Sequence, residues 1–127
     1  MVVSWLGNSY NVGRYSPSRG ELMPVAPTYI RDAARRGLDA RDSVSPSKKA
    51  GTLVGLARAN QLARGDNVSI NTLVRMRSYL ERARENYDLA REQGLNEKTS
   101  KAIQAYYLWG GPRAITWVNA ELKKVGK

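Results

Sequence analysis

Six apolar residues constrain this chain more than any others. Leu73, Met76, Leu80, Ala83, Tyr87 and Ala90 recur at spacings of three, four, three, four and three. That rhythm draws one continuous apolar stripe along a helix. Ser69 stands at the start as an N-cap and Gly94 at the end as a stop signal, so the spacing predicts a helix over 70–93. The other faces alternate Arg and acid, with Arg77/Glu81 and Arg84/Asp88 set for i,i+4 pairing. A stripe of this length must be covered by other helices. In a chain of 127 residues, the economical solution is one all-α bundle.

The flanking segments supply the covering helices. From Pro27 to about residue 41, Ile30, Ala33, Ala34, Gly37 and Leu38 fall three and four apart, with Asp32 and Arg36 as an i,i+4 pair. A second helix is expected over 47–63, with Leu53, Leu56, Ala57, Asn60 and Ala63 as its buried stripe. Lys48 and Lys49 would then lie in its first turn, against the helix dipole, a placement that suits a cation aimed at something negative. Two shorter helices close the chain. One runs from about 97 or 99 to 109, with Ala102, Ile103, Tyr106 and Tyr107 inward. The other starts after the corner Trp109-Gly110-Gly111-Pro112, with Pro112 at its first position and Gly111 as its cap, and buries Ile115, Trp117, Val118 and Leu122. The basic tail 123–127 is expected to fray. The fold class is therefore all-α: a small bundle of about five helices, residues 27–127, preceded by an irregular N-terminal arm.

That arm, residues 1–26, is rich in Gly, Pro, Asn and Ser and has no sustained period. It nevertheless carries Trp5, Leu6, Tyr10, Tyr15, Leu22 and Met23. Apolar residues spaced through an irregular segment suit an arm that docks on something. The expectation is an arm that is flexible alone and ordered in an assembly. Its start has no basic region followed by an apolar one, so it does not look like a secretory signal. No run of about 18 apolar residues suggests a membrane span.

Charge narrows the function. The chain has 21 Lys+Arg against 11 Asp+Glu, a net charge of +10, above the magnitude of about 2–8 usual for a small domain. Residues 1–26 carry +1, residues 27–65 +5, residues 66–99 zero and residues 100–127 +4. Two basic blocks thus flank a neutral middle, which suits a polyanion or an acidic protein face as partner. Arg31, Arg35, Arg36, Lys48, Lys49, Arg58 and Arg64 could follow a phosphate backbone or form a solvated face. Residues 56–75 also read as a helix-turn-helix, in which Ser69, Asn71, Thr72 and Arg75 are the right types to meet base edges. The same residues also suit a plain helical hairpin with a Ser cap. Trp109 and Trp117 occupy helical apolar positions and are expected in the core rather than as base-stacking platforms.

Catalysis is not expected. With no His and no Cys, the chain has no imidazole or thiolate for nucleophilic chemistry or for a metal site. Glu81/Glu85 and Glu92/Glu97 come close in sequence, but arginines surround them, which argues for surface pairing. The phosphate-loop and dinucleotide glycine patterns are absent. No cofactor is implied.

Four stretches carry a resemblance: PTYIRDAARRGL (27–38), GLARANQLARG (55–65), VSINTLVRMRSYLERA (68–83) and LWGGPRAITW (108–117). Together, residues 27–122 resemble a small helical module of tailed-bacteriophage proteins. The LWGG corner with its later Trp is the most specific part. The chain departs from the module's pattern at Arg82-Ala83, where many members have Arg-His, and at Ala105-Tyr106-Tyr107, where the pattern has Ala-Trp. The resemblance implies a phage origin more than an activity. The expectation that follows is a non-catalytic virion component, in the particle or the host cytoplasm. Its arm would dock on a capsid or head protein in an oligomeric assembly, and its basic surface would meet acidic protein or packaged DNA. A helix-turn-helix DNA-binding protein is the alternative, and an inhibitor of a host enzyme a further one.

Overall fold

The computed structural model describes residues 24–127. Five α-helices follow one another: α1 (Thr28–Ser43), α2 (Leu53–Arg64), α3 (Ile70–Glu92), α4 (Lys101–Leu108) and α5 (Ala114–Lys123). A single 3-10 turn, Pro46–Lys48, separates α1 from α2. The all-α bundle is thus present. The short α4 is its hub, in contact with α1, α2 and α3, while α1 also packs on α2 and α5 packs on α3. Direct contact between α2 and α3 is slight. The six arm residues expected to dock, Trp5, Leu6, Tyr10, Tyr15, Leu22 and Met23, lie outside the described residues. Residues 24–26 are tied to the bundle: the Val68 N–H donates to the Pro24 carbonyl (2.7 Å), Val25 forms an isolated antiparallel bridge with Asn67, and Ala26 is buried.

The seam of α3 is where its spacing puts it. Leu73, Met76, Leu80, Tyr87 and Ala90 are buried, and Ala83 packs against them. The Ser69 hydroxyl caps the helix, accepting from the Thr72 N–H at 3.1 Å. Tyr106 of α4 lies beneath this seam, with its ring stacked on Tyr87 at 4.4 Å and its hydroxyl donating to the Leu80 carbonyl at 3.3 Å. A buried phenol thereby keeps its hydrogen bond while its ring fills the core.

The second helix differs from expectation in both its start and its buried face. Gly51 sits at φ +94°, Thr52 follows in extended backbone, and the Thr52 hydroxyl accepts from the Gly55 N–H at 3.1 Å. These two residues stop one turn and cap the next. Lys48 therefore ends the 3-10 turn and Lys49 follows it; neither stands in the first turn of α2. The buried stripe is Gly55, Ala59 and Leu62, whereas Leu53 is 86% exposed and Ala57 and Asn60 also face outward. Small residues won the inner face because α2 lies close to its neighbours; a Cβ on Gly55 would come within 3.1 Å of the Trp109 indole nitrogen.

The corner after α4 needs its two glycines. Gly110 and Gly111 have φ of +114° and +84°, and a Cβ on either would meet another residue's Cβ at 2.8 Å. This left-handed backbone at Gly111 is unlike the extended N-cap expected of it. The helix instead starts at Ala114, after a turn in which the Ala114 N–H donates to the Gly111 carbonyl (3.1 Å). Ala114, Val118 and Leu122 are buried, with Ile115 and Trp117 half-buried against the core. The tail does not fray as expected. The Lys127 N–H donates to the Leu122 carbonyl (2.9 Å), and Arg77 holds the Lys127 carbonyl (2.9 Å) in place of a pair with Glu81.

Candidate functional site

Three of the basic residues singled out in the sequence, Arg35, Arg36 and Arg64, pair with carboxylates within the fold, and Arg31 and Lys49 are held against backbone. Arg31 packs its guanidinium under Gly65 at the C-terminal end of α2, and Arg35 donates to the Ala63 carbonyl there (3.0 Å) while pairing with Asp32 (2.7 Å). Both cations thus sit at the negative end of a helix dipole. The expected partner of Asp32, Arg36, reaches across to α4's approach instead. It forms a two-pronged pair with Glu97 (2.6 and 3.1 Å) and lies over the Tyr107 ring (4.6 Å). Arg64 pairs with Asp66 (2.7 Å). Lys49 donates through Nζ to the Arg41 carbonyl.

The same pairing accounts for Glu97, one of the carboxylates close to another in sequence. The Arg36 guanidinium holds its carboxyl below the ordinary Glu value, against the opposing effect of burial. That is the signature of an ion pair rather than of a general acid.

Lys49 and three further cations converge. A groove of about 790 Å³ opens between α2 and α3, with α4 at its base. Lys49, Arg75, Arg82 and Lys101 border it, and no Asp or Glu lines it. Arg75 and Arg82 stand seven residues apart on one face of α3. The floor is Tyr79 stacked on Trp109, with centroids 4.7 Å apart and planes 13° apart. Burial pushes the Tyr79 phenol above its ordinary pKa, so it stays neutral. Two helix N-termini also border the groove, through Thr52 before α2 and Lys101 at the start of α4. Their dipoles add positive potential. Lys48 and Lys49 are not the dipole-opposed cations expected of them; Lys101, which the sequence reading did not single out, stands in the first turn of α4.

One buried side chain builds the groove wall. Gln104, 1% exposed, accepts from the Ala50 N–H (2.6 Å) and donates to the Glu97 carbonyl (3.0 Å). It fastens the 49–52 segment to α4 and so fixes the side of the groove that carries Lys49.

Of the residues expected at base edges, Ser69 and Thr72 are occupied with each other: beyond the cap, the Ser69 hydroxyl donates to Thr72 Oγ1 at 3.0 Å. Asn71 and Arg75 are exposed on one face of α3, and only Arg75 borders the groove. Lys48 is exposed and makes no ion pair among the described residues. Trp109 is 8% exposed and lies in the core, as expected. Sequence reasoning missed Arg82, Lys101 and Gln104. The seven-residue spacing of Arg75 and Arg82, and a Lys directly after the Ser100 cap, were the signals that pointed to the first two.

A second hollow, of about 330 Å³, lies between Tyr29, Arg36, Tyr107 and Arg113. Its charged residues are engaged: Asp32, which also lines it, pairs with Arg35, Arg36 pairs with Glu97, and Arg113 lies 3.9 Å over the Tyr29 ring. No helix among the described residues is long and apolar enough to cross a membrane. Comparison of the chain with protein families, curated proteins and solved structures gives no match.

Proposed function

We propose that this domain is a non-catalytic binding module that grips nucleic-acid phosphates in the groove between α2 and α3. One observation carries the reading: four cations and two helix N-termini border a groove that no carboxylate lines, while Arg35, Arg36 and Arg64 of α1 and α2 pair with carboxylates elsewhere. The site suits backbone contact better than base reading. Two of the four residues expected at base edges serve the α3 cap, and α2 and α3 straddle α4 rather than forming a tightly packed pair.

The resemblance of residues 27–122 to the tailed-phage helical module supports placing this binding in a virion, where packaged DNA is the abundant polyanion. In that setting the arm, with Trp5, Tyr10 and Tyr15, docks on a capsid or head protein. An acidic protein segment is the second reading for the same groove. It is favoured by Val54, 51% exposed at the border of the groove, and by Leu53, 86% exposed, next to it in α2, which offer apolar contact that a phosphate backbone does not use.

Fluorescence anisotropy with a 30-base-pair duplex of random sequence separates the two. Nucleic-acid binding predicts micromolar affinity or better at moderate salt, unchanged by Leu53→Ser. Absence of binding at low salt, from a chain of charge +10, refutes the nucleic-acid reading and leaves the acidic-protein one.

A further inference from the structure

Arg58 of α2 has no carboxylate partner among the described residues and lies against a groove residue, Trp109, without itself bordering the groove. Its guanidinium carbon lies 5.7 Å from the centroid of Trp109, the groove floor. One of its terminal nitrogens donates to Gln61 Oε1, but its Nε is buried with no hydrogen-bond partner. Arg75 of α3 borders the groove, is exposed and makes no ion pair among the described residues. The two charges are close enough to disfavour each other: burial first, and Arg75 second, lower the Arg58 pKa. The buried Nε is out of a ligand's reach, as is the equally unpartnered Nε of Arg31, but two neighbouring cations without carboxylates are an unfavourable arrangement that an anion bound between their terminal nitrogens would relieve. The Trp109 indole nitrogen lies beside Gly55, where only a hydrogen leaves it room, and adds a further donor at the same end.

We infer that Arg58 and Arg75 form a seat for one phosphate at the α2–α3 end of the groove, bridging its oxygens between two guanidinium groups. This inference rests on the proposed function for its natural ligand, a phosphodiester; the same chemistry would also take a free oligophosphate. Guanidinium forks match phosphate oxygens in pairs, which Lys cannot do. The seat reads phosphate and not base. The facing rings of Tyr79 and Trp109 are stacked on each other, and Arg58 and Arg82 lie over them (5.7 and 5.9 Å). Neither of these two rings leaves an open face on which a base could stack.

The test uses the full chain and two probes at one ionic strength, tripolyphosphate by calorimetry and the 30-base-pair duplex by anisotropy. Arg58→Gln and Arg75→Gln are compared with Arg113→Gln, whose guanidinium lies over Tyr29 away from the groove. Each groove variant is expected to weaken tripolyphosphate by about tenfold or more, the loss of a charge-assisted hydrogen bond, and to weaken the duplex as well. Arg113→Gln is expected to stay within about twofold, as for an exposed charge. Tripolyphosphate bound through Arg58 and Arg75 with no duplex binding would keep the seat, assign it to free oligophosphate, and refute the nucleic-acid reading. Duplex binding that neither groove variant weakens would overturn the seat and leave the groove reading standing. Arg75 is exposed, so Arg75→Gln decides between these outcomes even if Arg58→Gln fails to fold.

Discussion

Replacing Gln104 by Leu tests how the groove wall is held. The substitution nearly conserves volume and removes both hydrogen bonds of a side chain that is 1% exposed. The Ala50 N–H, bonded in a buried environment, would be left without an acceptor at a cost of about 1–3 kcal/mol. The Glu97 carbonyl is only part-buried and can recruit water, so its loss adds about 0.5–1.5 kcal/mol. Burial of the leucine's extra apolar surface returns on the order of 1 kcal/mol. The net expectation is a destabilisation of about 2 kcal/mol, which for a domain of this size lowers Tm by roughly 10 °C. Thermal and urea unfolding followed by circular dichroism read it directly. The 49–52 segment should also loosen, so duplex affinity should fall in the folded variant at low temperature. A Gln104→Leu protein as stable as the parent, within about 0.5 kcal/mol, would refute the reasoning that this side chain pins the groove wall.

Three further outcomes are expected. The Glu97 carboxyl is held below its ordinary value by Arg36, so the pair stabilises the fold at pH above the unfolded value of about 4.3 and that contribution is lost as pH falls through the lower folded value; Glu97→Gln should flatten stability against pH in this acid range, which urea titrations between pH 6 and pH 3 would show. Gly37→Ala should destabilise by about 1–2 kcal/mol despite a helix-propensity gain of about 1 kcal/mol, because its Cβ would lie 2.7 Å from the Leu108 backbone nitrogen and 3.0 Å from the Tyr107 carbonyl carbon, and the unfolding midpoint measures it. Leu62→Ala should cost about 2–5 kcal/mol while Leu53→Ala changes stability by less than about 0.5 kcal/mol; equal effects in chemical denaturation would contradict the observed orientation of α2.

What the sequence made legible was what large residues and caps encode. The α3 seam, the Ser69 cap and the burial of Trp109 all follow from spacing or residue type. The face of α2 was not legible, because Leu53 and Leu56 outweigh Gly55 and Ala59 in any count of hydrophobicity, whereas close packing against Trp109 favours the small residues. Partner choice among the arginines was also hidden. Asp32 and Arg36 satisfy the local i,i+4 rule, yet Arg36 turns to Glu97, 61 residues away, where it also covers the Tyr107 ring. The groove was half legible. Arg75 and Lys49 stood out as cations, but their meeting with Arg82 and Lys101 depends on α4 lying between α2 and α3, which no local pattern announces. Gln104 carried no signal, since a buried glutamine is recognised only by the backbone groups it reaches.

The central claim is that the groove cations hold phosphates, and the salt dependence of duplex binding tests it most directly. We would compare the wild-type chain with the double variant Arg82→Gln/Lys101→Gln over a salt series. If both side chains meet phosphates, the slope of log K against log salt should become shallower by about 1.8, or about 0.9 for each cation removed from a phosphate. The same slope in both proteins, with binding intact, would contradict the account and place the duplex elsewhere on the surface.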